Sequence, residues 1–138
     1  MKKIITSVLV SASLVSTYVT LAQTAPTRPF TDLATFEAKL KQAGPTPQIL
    51  DSRSAEEFQL NHLKGAVQVN VGNKNELLTL AAKLDKSKPV FVYGINNGRS
   101  TTLAKSLDTL GFKEVHELKG GLAKWIGSGK PVESAVGK

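Results

Sequence analysis

The residues with the most chemical potential form one run, Gly94-Ile95-Asn96-Asn97-Gly98-Arg99-Ser100, directly after the β-branched and aromatic segment Val90–Tyr93. Two glycines and two asparagines permit the restricted dihedrals of a tight loop, so successive backbone N–H groups can converge on one point and attract an anion. A helix opening at Ser100, with Ser100 as its cap, adds a positive helix end. Arg99 adds a planar cation able to grip two oxygens or to brace the loop. The expected chemistry is binding rather than bond making. The chain contains no cysteine, which removes disulfides, thiolate metal sites and thiol nucleophiles together. No histidine stands in the loop to activate Ser100 as a base would. Neither phosphate-loop signature follows the strand, so nucleotide binding of those kinds is not expected. Glycine- and asparagine-rich turns are common after strands, and from the loop alone a plain chain reversal is an equal alternative.

Three other polar residues are candidates to support this loop. Asp51 and Arg53 close the apolar run Gln48–Ser52, and acids and cations at strand ends pair with each other or with loop amides. His62 has no identified acid partner and no nucleophile to serve, and reads as a satisfied structural histidine. His116 lies on an alternating segment with Glu114 and Glu117, where Val115 and Leu118 are expected to point inward; no metal site is expected there. Leu122, Trp125 and Ile126 have helical spacing and read as core.

The elements that must position these residues alternate. Thr31 is placed to cap a helix through Gln42, with Leu33, Phe36 and Leu40 on one face and Gly44 as its stop. Gln48–Ser52 reads as a buried strand, Ser54–Glu57 as a capping box opening a short helix, and Asn61–Gly65 as a break. Ala66–Val71 and Pro89–Tyr93 read as strands, Asn75–Leu84 as a helix, and Gly94–Gly98 as a loop. A helix from Ser100 to Leu110, a strand near Glu114–Leu118 and a helix around Leu122–Ile126 complete the pattern. Strands separated by helices imply a parallel α/β sheet with helices on its faces, and ligands bind at the carboxyl ends of such strands.

Several motifs, in order, resemble the rhodanese-like domain family. Ile49-Leu50-Asp51-Ser52-Arg53 with Glu57-Phe58, then His62-Leu63-Lys64-Gly65-Ala66-Val67, is similar to the family's opening motif. Val92-Tyr93-Gly94 with Arg99-Ser100 resembles its active loop. Leu110-Gly111-Phe112, Leu118-Lys119-Gly120-Gly121 and Trp125 resemble its closing motif. The resemblance implies a three-layer α/β fold with a central, mainly parallel sheet of about five strands, including a short first strand near Phe30, flanked by helices. It also implies a reactive cysteine five residues before the loop arginine. Counting back from Arg99 reaches Gly94, which has no side chain to attack a sulfur donor or hold a persulfide. The chain therefore reads as a catalytically inactive homologue of the sulfurtransferases. The cradle Gly94, Ile95, Asn96, Asn97, Gly98, Arg99, Ser100 is left as an anion-binding loop, with Asp51, Arg53 and His62 as loop support.

With 138 residues, 41% hydrophobic and 21% charged, the chain has room for one small globular domain. Met1-Lys2-Lys3, an uncharged run of small and apolar residues through Ala22, and no charge before Arg28 form an exported leader, with cleavage expected after Ala22. An uncleaved anchor is the alternative, weakened by the many Ser and Thr of the run. The expected organisation is a signal peptide over 1–22, a linker over 23–29, the domain over 30–132 and a tail over 133–138. The formal charge of +7 falls to +5 without Lys2 and Lys3. The lysines are spread along the chain and read as a solvated surface with a weak pull on acidic partners, and no basic run interleaved with aromatics suits nucleic acid. The expected role is a periplasmic or secreted module that uses no cofactor and does not associate with membranes once the leader is removed. Its partners would be a small oxyanion such as sulfate, thiosulfate or phosphate, or a periplasmic protein. A sulfurtransferase-related enzyme acting through a partner's thiol, and a purely structural envelope domain, are the alternatives. Intact-mass analysis of the secreted protein should give a chain starting at Gln23; a membrane-bound product still carrying Met1–Ala22 would contradict the cleavage.

Overall fold

The structure is a computed structural model and describes residues 28–136. The expected signal peptide, most of the expected linker and the last two residues of the tail lie outside the described residues. Helix α1 (Leu33–Gln42) leads into strand β1 (Gln48–Asp51), followed by α2 (Ala55–Leu60), β2 (Ala66–Gln68) and α3 (Lys74–Ala81). Strand β3 (Val90–Tyr93), α4 (Gly98–Thr109), β4 (Val115–Glu117) and α5 (Gly121–Gly127) complete the fold. The four strands form one parallel sheet in the order β2-β1-β3-β4.

Alternation along the strands divides the core between two faces. Leu50, Val90, Val92 and Val115 pack against Leu77 and Ala81 of α3 and Leu103, Ala104 and Leu107 of α4. Ile49, Phe91 and Tyr93 pack on the opposite face with Phe36 of α1 and Leu122 and Trp125 of α5. Phe36 meets Phe91 edge-on, with ring centroids 5.3 Å apart, a favoured aromatic geometry. Because helices cover both faces, β3 is buried at every residue, as expected for an internal parallel strand.

Two local readings are corrected. The sheet has four strands, not five: Thr31 makes only an isolated parallel bridge to Leu118, through Thr31 N–H to the Glu117 carbonyl and Lys119 N–H to the Thr31 carbonyl, both 2.8 Å. Pro29 stands two residues earlier, where the ladder's next donor would be, and it has no N–H to give. The cap of α1 is Asp32 rather than Thr31, whose backbone is committed to this bridge. The Asp32 carboxylate accepts from the Thr35 N–H at 3.0 Å and the Thr35 hydroxyl at 2.7 Å. At α2 the capping box is present as read: the Ser54 hydroxyl accepts from the Glu57 N–H, and the Glu57 carboxylate accepts from the Ser54 N–H.

Candidate functional site

The loop after β3 lies at the carboxyl end of the sheet, between β1, β4 and the start of α5. Two bonds from α5 set its course: the Leu122 N–H donates to the Gly94 carbonyl at 2.7 Å, and the Ala123 N–H to the Ile95 carbonyl at 3.1 Å. Such contact needs a bare Cα at Gly121. A Cβ there would stand 2.5 Å from the Gly94 oxygen and 2.8 Å from the Asn96 oxygen, and the residue sits at φ +58°, where side chains are strained. From β1, the Ser52 N–H and hydroxyl both donate to the Tyr93 carbonyl, at 2.9 and 3.0 Å.

Helix α4 opens at Gly98, one turn earlier than its expected cap at Ser100. Asn97 occupies the cap position without a side-chain cap bond, because its amide is used elsewhere: Oδ1 accepts from the Gly120 N–H at 2.7 Å, and Nδ2 donates to the Leu118 carbonyl at 2.9 Å. Ser100 is fully buried, and its hydroxyl donates to Glu117 Oε1 at 2.8 Å. Thr101 Oγ1 lies 2.8 Å from the same oxygen and Asn97 Nδ2 lies 3.3 Å from it. Glu117, 2% exposed, thus stands under the loop as a buried acceptor for three of its side chains.

The loop's own N–H groups are mostly unused. Gly98 N–H donates to Asn96 Oδ1 at 3.1 Å, whereas those of Ile95, Asn96, Asn97, Arg99 and Ser100 have no hydrogen-bond partner among the described residues. The space beside Gly94 is narrower than a missing side chain suggests. A Cβ built there meets the Asn96 carbonyl oxygen at 3.0 Å, Ser52 Oγ at 3.1 Å and Ser100 N at 3.6 Å. The reading that Gly94 leaves an open centre is thus narrowed, because the Asn96 carbonyl and Ser52 Oγ already border the position of its missing side chain. A cleft of about 350 Å³ opens beside the loop, lined by Ser52, Ser54, Gln68, Asn70, Glu76 and Arg99 among others.

Arg99 braces the loop from outside. Its guanidinium is 2.7 Å from Glu57 Oε2, joining α4 to the capping box of α2. The Ser54 backbone N–H and the Arg99 guanidinium hold the Glu57 carboxyl below the usual carboxylate range, against a smaller opposing effect of burial. Asp51 and Arg53 pair with each other at 2.8 Å, both buried. Arg53 also donates to Asn61 Oδ1 at 3.2 Å and to the Asn61 carbonyl, and its guanidinium carbon lies 5.9 Å from the centre of the Tyr93 ring. Burial, then the Asp51 charge, pushes the Tyr93 hydroxyl far above its usual range, so it stays protonated and accepts from the Leu63 N–H at 3.0 Å. The pair therefore meets Tyr93, the residue before Gly94. His62 bonds elsewhere: its Nδ1 is 2.8 Å from the Phe58 carbonyl, its ring stacks on Phe58, and Glu133 lies 3.9 Å away. Glu114 and His116 pair at 2.7 Å, while Glu117 faces α4, so these three do not converge.

The sequence profile of the rhodanese-like domain matches residues 33–128. The chain belongs to the rhodanese-like domain family. It is 36% identical over 84 residues to an uncharacterised protein of Bacillus subtilis, YqhL, covering 58% of this chain and 61% of that one. It is 34% identical over 77 residues to the thiosulfate sulfurtransferase GlpE of Coxiella burnetii, covering 56% of this chain and 69% of that enzyme. The chain thus spans about three fifths of the Bacillus protein's length. A rhodanese-like domain from Anabaena sp. superimposes with a TM-score of 0.66 at 30% identity, over 78% of this chain and 80% of that one. The family resemblance stated from the motifs and the α/β fold read from the alternation are both met. Within this rhodanese-like domain the sequence reading missed Glu117 and Gly121. Glu117 shares the strand face of Val115, and in a sheet covered on both sides that position is interior.

Two outcomes follow from the loop's supports. Gly121→Ala should destabilise the domain by about 2–4 kcal/mol in urea unfolding, since overpacking against backbone and a positive φ act together; an unchanged midpoint would mean that α5 does not hold the loop. Because Glu57 has a depressed pKa when folded, its contribution is present above the ordinary carboxylate pKa and is lost as pH falls through the depressed value. In Arg99→Ala that lower value should move up toward the ordinary one, as read by NMR titration of the Glu57 side chain.

Proposed function

We propose that this domain is a non-catalytic binding module that takes a small oxyanion, such as sulfate, thiosulfate or phosphate, at the mouth of the Gly94–Ser100 loop. We place its work after export, in a periplasmic or secreted protein freed of residues 1–22. The observation that carries the reading is the set of N–H groups of Ile95, Asn96, Asn97, Arg99 and Ser100, without partners among the described residues, beside a glycine in a chain with no cysteine. Asn97 is half-buried and Ser100 buried, where N–H groups without partners are rare and are met by water or by a ligand, while Ile95, Asn96 and Arg99 lie exposed at the mouth. The start of α4 adds favourable potential for an anion, and Arg99 stands at the rim. Glu117 works against tight binding, because it brings a carboxyl to the same helix end. Affinity for a simple oxyanion is therefore of order millimolar, about 4 kcal/mol. A periplasmic protein partner on the same face is the second reading, favoured by Ile95, an apolar side chain left 41% exposed in the loop.

Sulfurtransfer needs a thiolate to carry the sulfane sulfur between donor and acceptor, and no residue of the chain supplies one. Purified protein should show no thiosulfate:cyanide turnover above background, and robust turnover by a homogeneous sample would refute the non-catalytic reading. Sulfate or thiosulfate should shift the amide resonances of Ile95–Ser100 selectively, and Arg99→Ala should weaken that response. If the anions move nothing in the loop, the oxyanion reading fails and the protein-partner reading replaces it.

A further inference from the structure

Lysines that are spread along the sequence gather at one end of the fold. In a parallel sheet all strands start at the same end, so the segments leading into them share one pole, and the Gly94–Ser100 loop lies at the other. Lys64 leads into β2, Lys86 and Lys88 into β3, and Lys113 into β4, while α1 and α3 run back toward this pole and end near Lys41 and Lys83. These six side chains are exposed. Backbone contacts draw the segments together. The Lys113 N–H donates to the Lys86 carbonyl at 3.3 Å, and Gln48, which starts β1, accepts from the Asp85 N–H at 2.6 Å and donates to its carbonyl at 3.0 Å.

The acids of this pole are fewer and already engaged. Glu114 is 3.0 Å from Lys39, Asp85 is 3.9 Å from Lys88, Asp108 pairs with Arg28, and Glu37 pairs with Lys130 and Lys41. Lys64, Lys83, Lys86 and Lys113 have no ion-pair partner among the described residues. From residue 28 to 136 there are fifteen Lys and Arg against eleven Asp and Glu. The opposite pole is mixed, with Glu56, Glu57 and Glu76 around the cleft beside Arg99, Lys74 and Lys119.

We propose, against the expectation from the sequence that the mature chain does not associate with membranes, that the basic pole docks the domain on an anionic phospholipid surface, leaving the loop turned toward solvent. Lys41, Lys64, Lys83, Lys86 and Lys88 are exposed point charges on flexible stems and do not line the cleft that Arg28, Lys39 and Lys113 share; such groups suit a diffuse plane of negative charge better than a shaped acidic partner. The chain also enters the domain on this side. Arg28 bonds to the Val115 carbonyl at the start of β4. This docking is independent of what the loop binds.

The test sediments purified protein with vesicles of phosphatidylcholine alone or mixed with phosphatidylglycerol. Binding is expected only to the mixed vesicles and should be lost at 1 M salt, where screening shortens to about 3 Å. Lys86→Glu with Lys113→Glu should weaken it at least about tenfold, given the attraction contributed by each basic residue near such a surface. Lys74→Glu with Lys119→Glu changes the net charge equally at the other pole and should leave binding nearly intact; circular dichroism checks that both variants fold. Equal loss in the two double variants would overturn the proposal in favour of net charge alone. Salt-resistant binding to both vesicle types would overturn it in favour of insertion by the N-terminal segment. Capture by polyglutamate without vesicle binding would assign the pole to an acidic protein instead.

Discussion

Two hydrogen bonds from the start of α5 decide which way the loop's peptides face. In a trans peptide the carbonyl and the following N–H point in opposite directions. Once the Gly94 and Ile95 carbonyls are drawn to the N–H groups of Leu122 and Ala123, the N–H groups of Ile95 and Asn96 must turn away from α5, toward the mouth of the loop. The arrangement is reciprocal, because the first N–H groups of any helix lack partners within it, and the loop supplies two of those missing acceptors. It also depends on Gly121, since any side chain there would stand inside the Gly94 carbonyl. The shape of the loop is therefore written partly in a glycine that lies outside it.

Beneath the loop, Glu117 has the opposite electrostatic effect. A carboxyl that is 2% exposed is costly to bury unless its oxygens are satisfied, and here Ser100, Thr101 and Asn97 satisfy one of them. The same group occupies the end of α4 whose field would otherwise serve an incoming anion. The loop thus presents donors outward while part of the helix potential is spent inward.

Much of the fold was legible because its signals are local and agree with one another. The run Val90–Tyr93, the capping box at Ser54 and Glu57, and the stop at Gly111 each have a cause within a few residues. The errors arise where distant segments compete for the same groups. Thr31 is a sound cap by type, but its backbone is taken by Leu118 and Lys119, and Asp32 caps instead. Ser100 is a sound cap as well, yet Glu117, seventeen residues later, takes its hydroxyl and leaves Asn97 to open the helix. From the sequence Glu117 stands only beside Glu114 and His116 and not as a support of the loop, because a charged residue on an alternating strand is ordinarily read as solvent-facing, a rule that fails when helices cover both faces. For the site, the loop, the Asp51–Arg53 pair and the absent thiol could be read from the sequence. The direction of the N–H groups could not, since it follows from α5.

Position 94 can lack a side chain without loss of the loop because only its backbone carbonyl takes part in holding it. Ser52 grips the Tyr93 carbonyl, α5 grips the two carbonyls that follow, Asn97 is fixed to Leu118 and Gly120, Ser100 to Glu117, and Arg99 to Glu57. Every one of these supports uses backbone or a side chain other than residue 94. The orientation of the N–H groups of Ile95 and Asn96 is therefore set by contacts that need no side chain at position 94, and the chain places no thiol beside them.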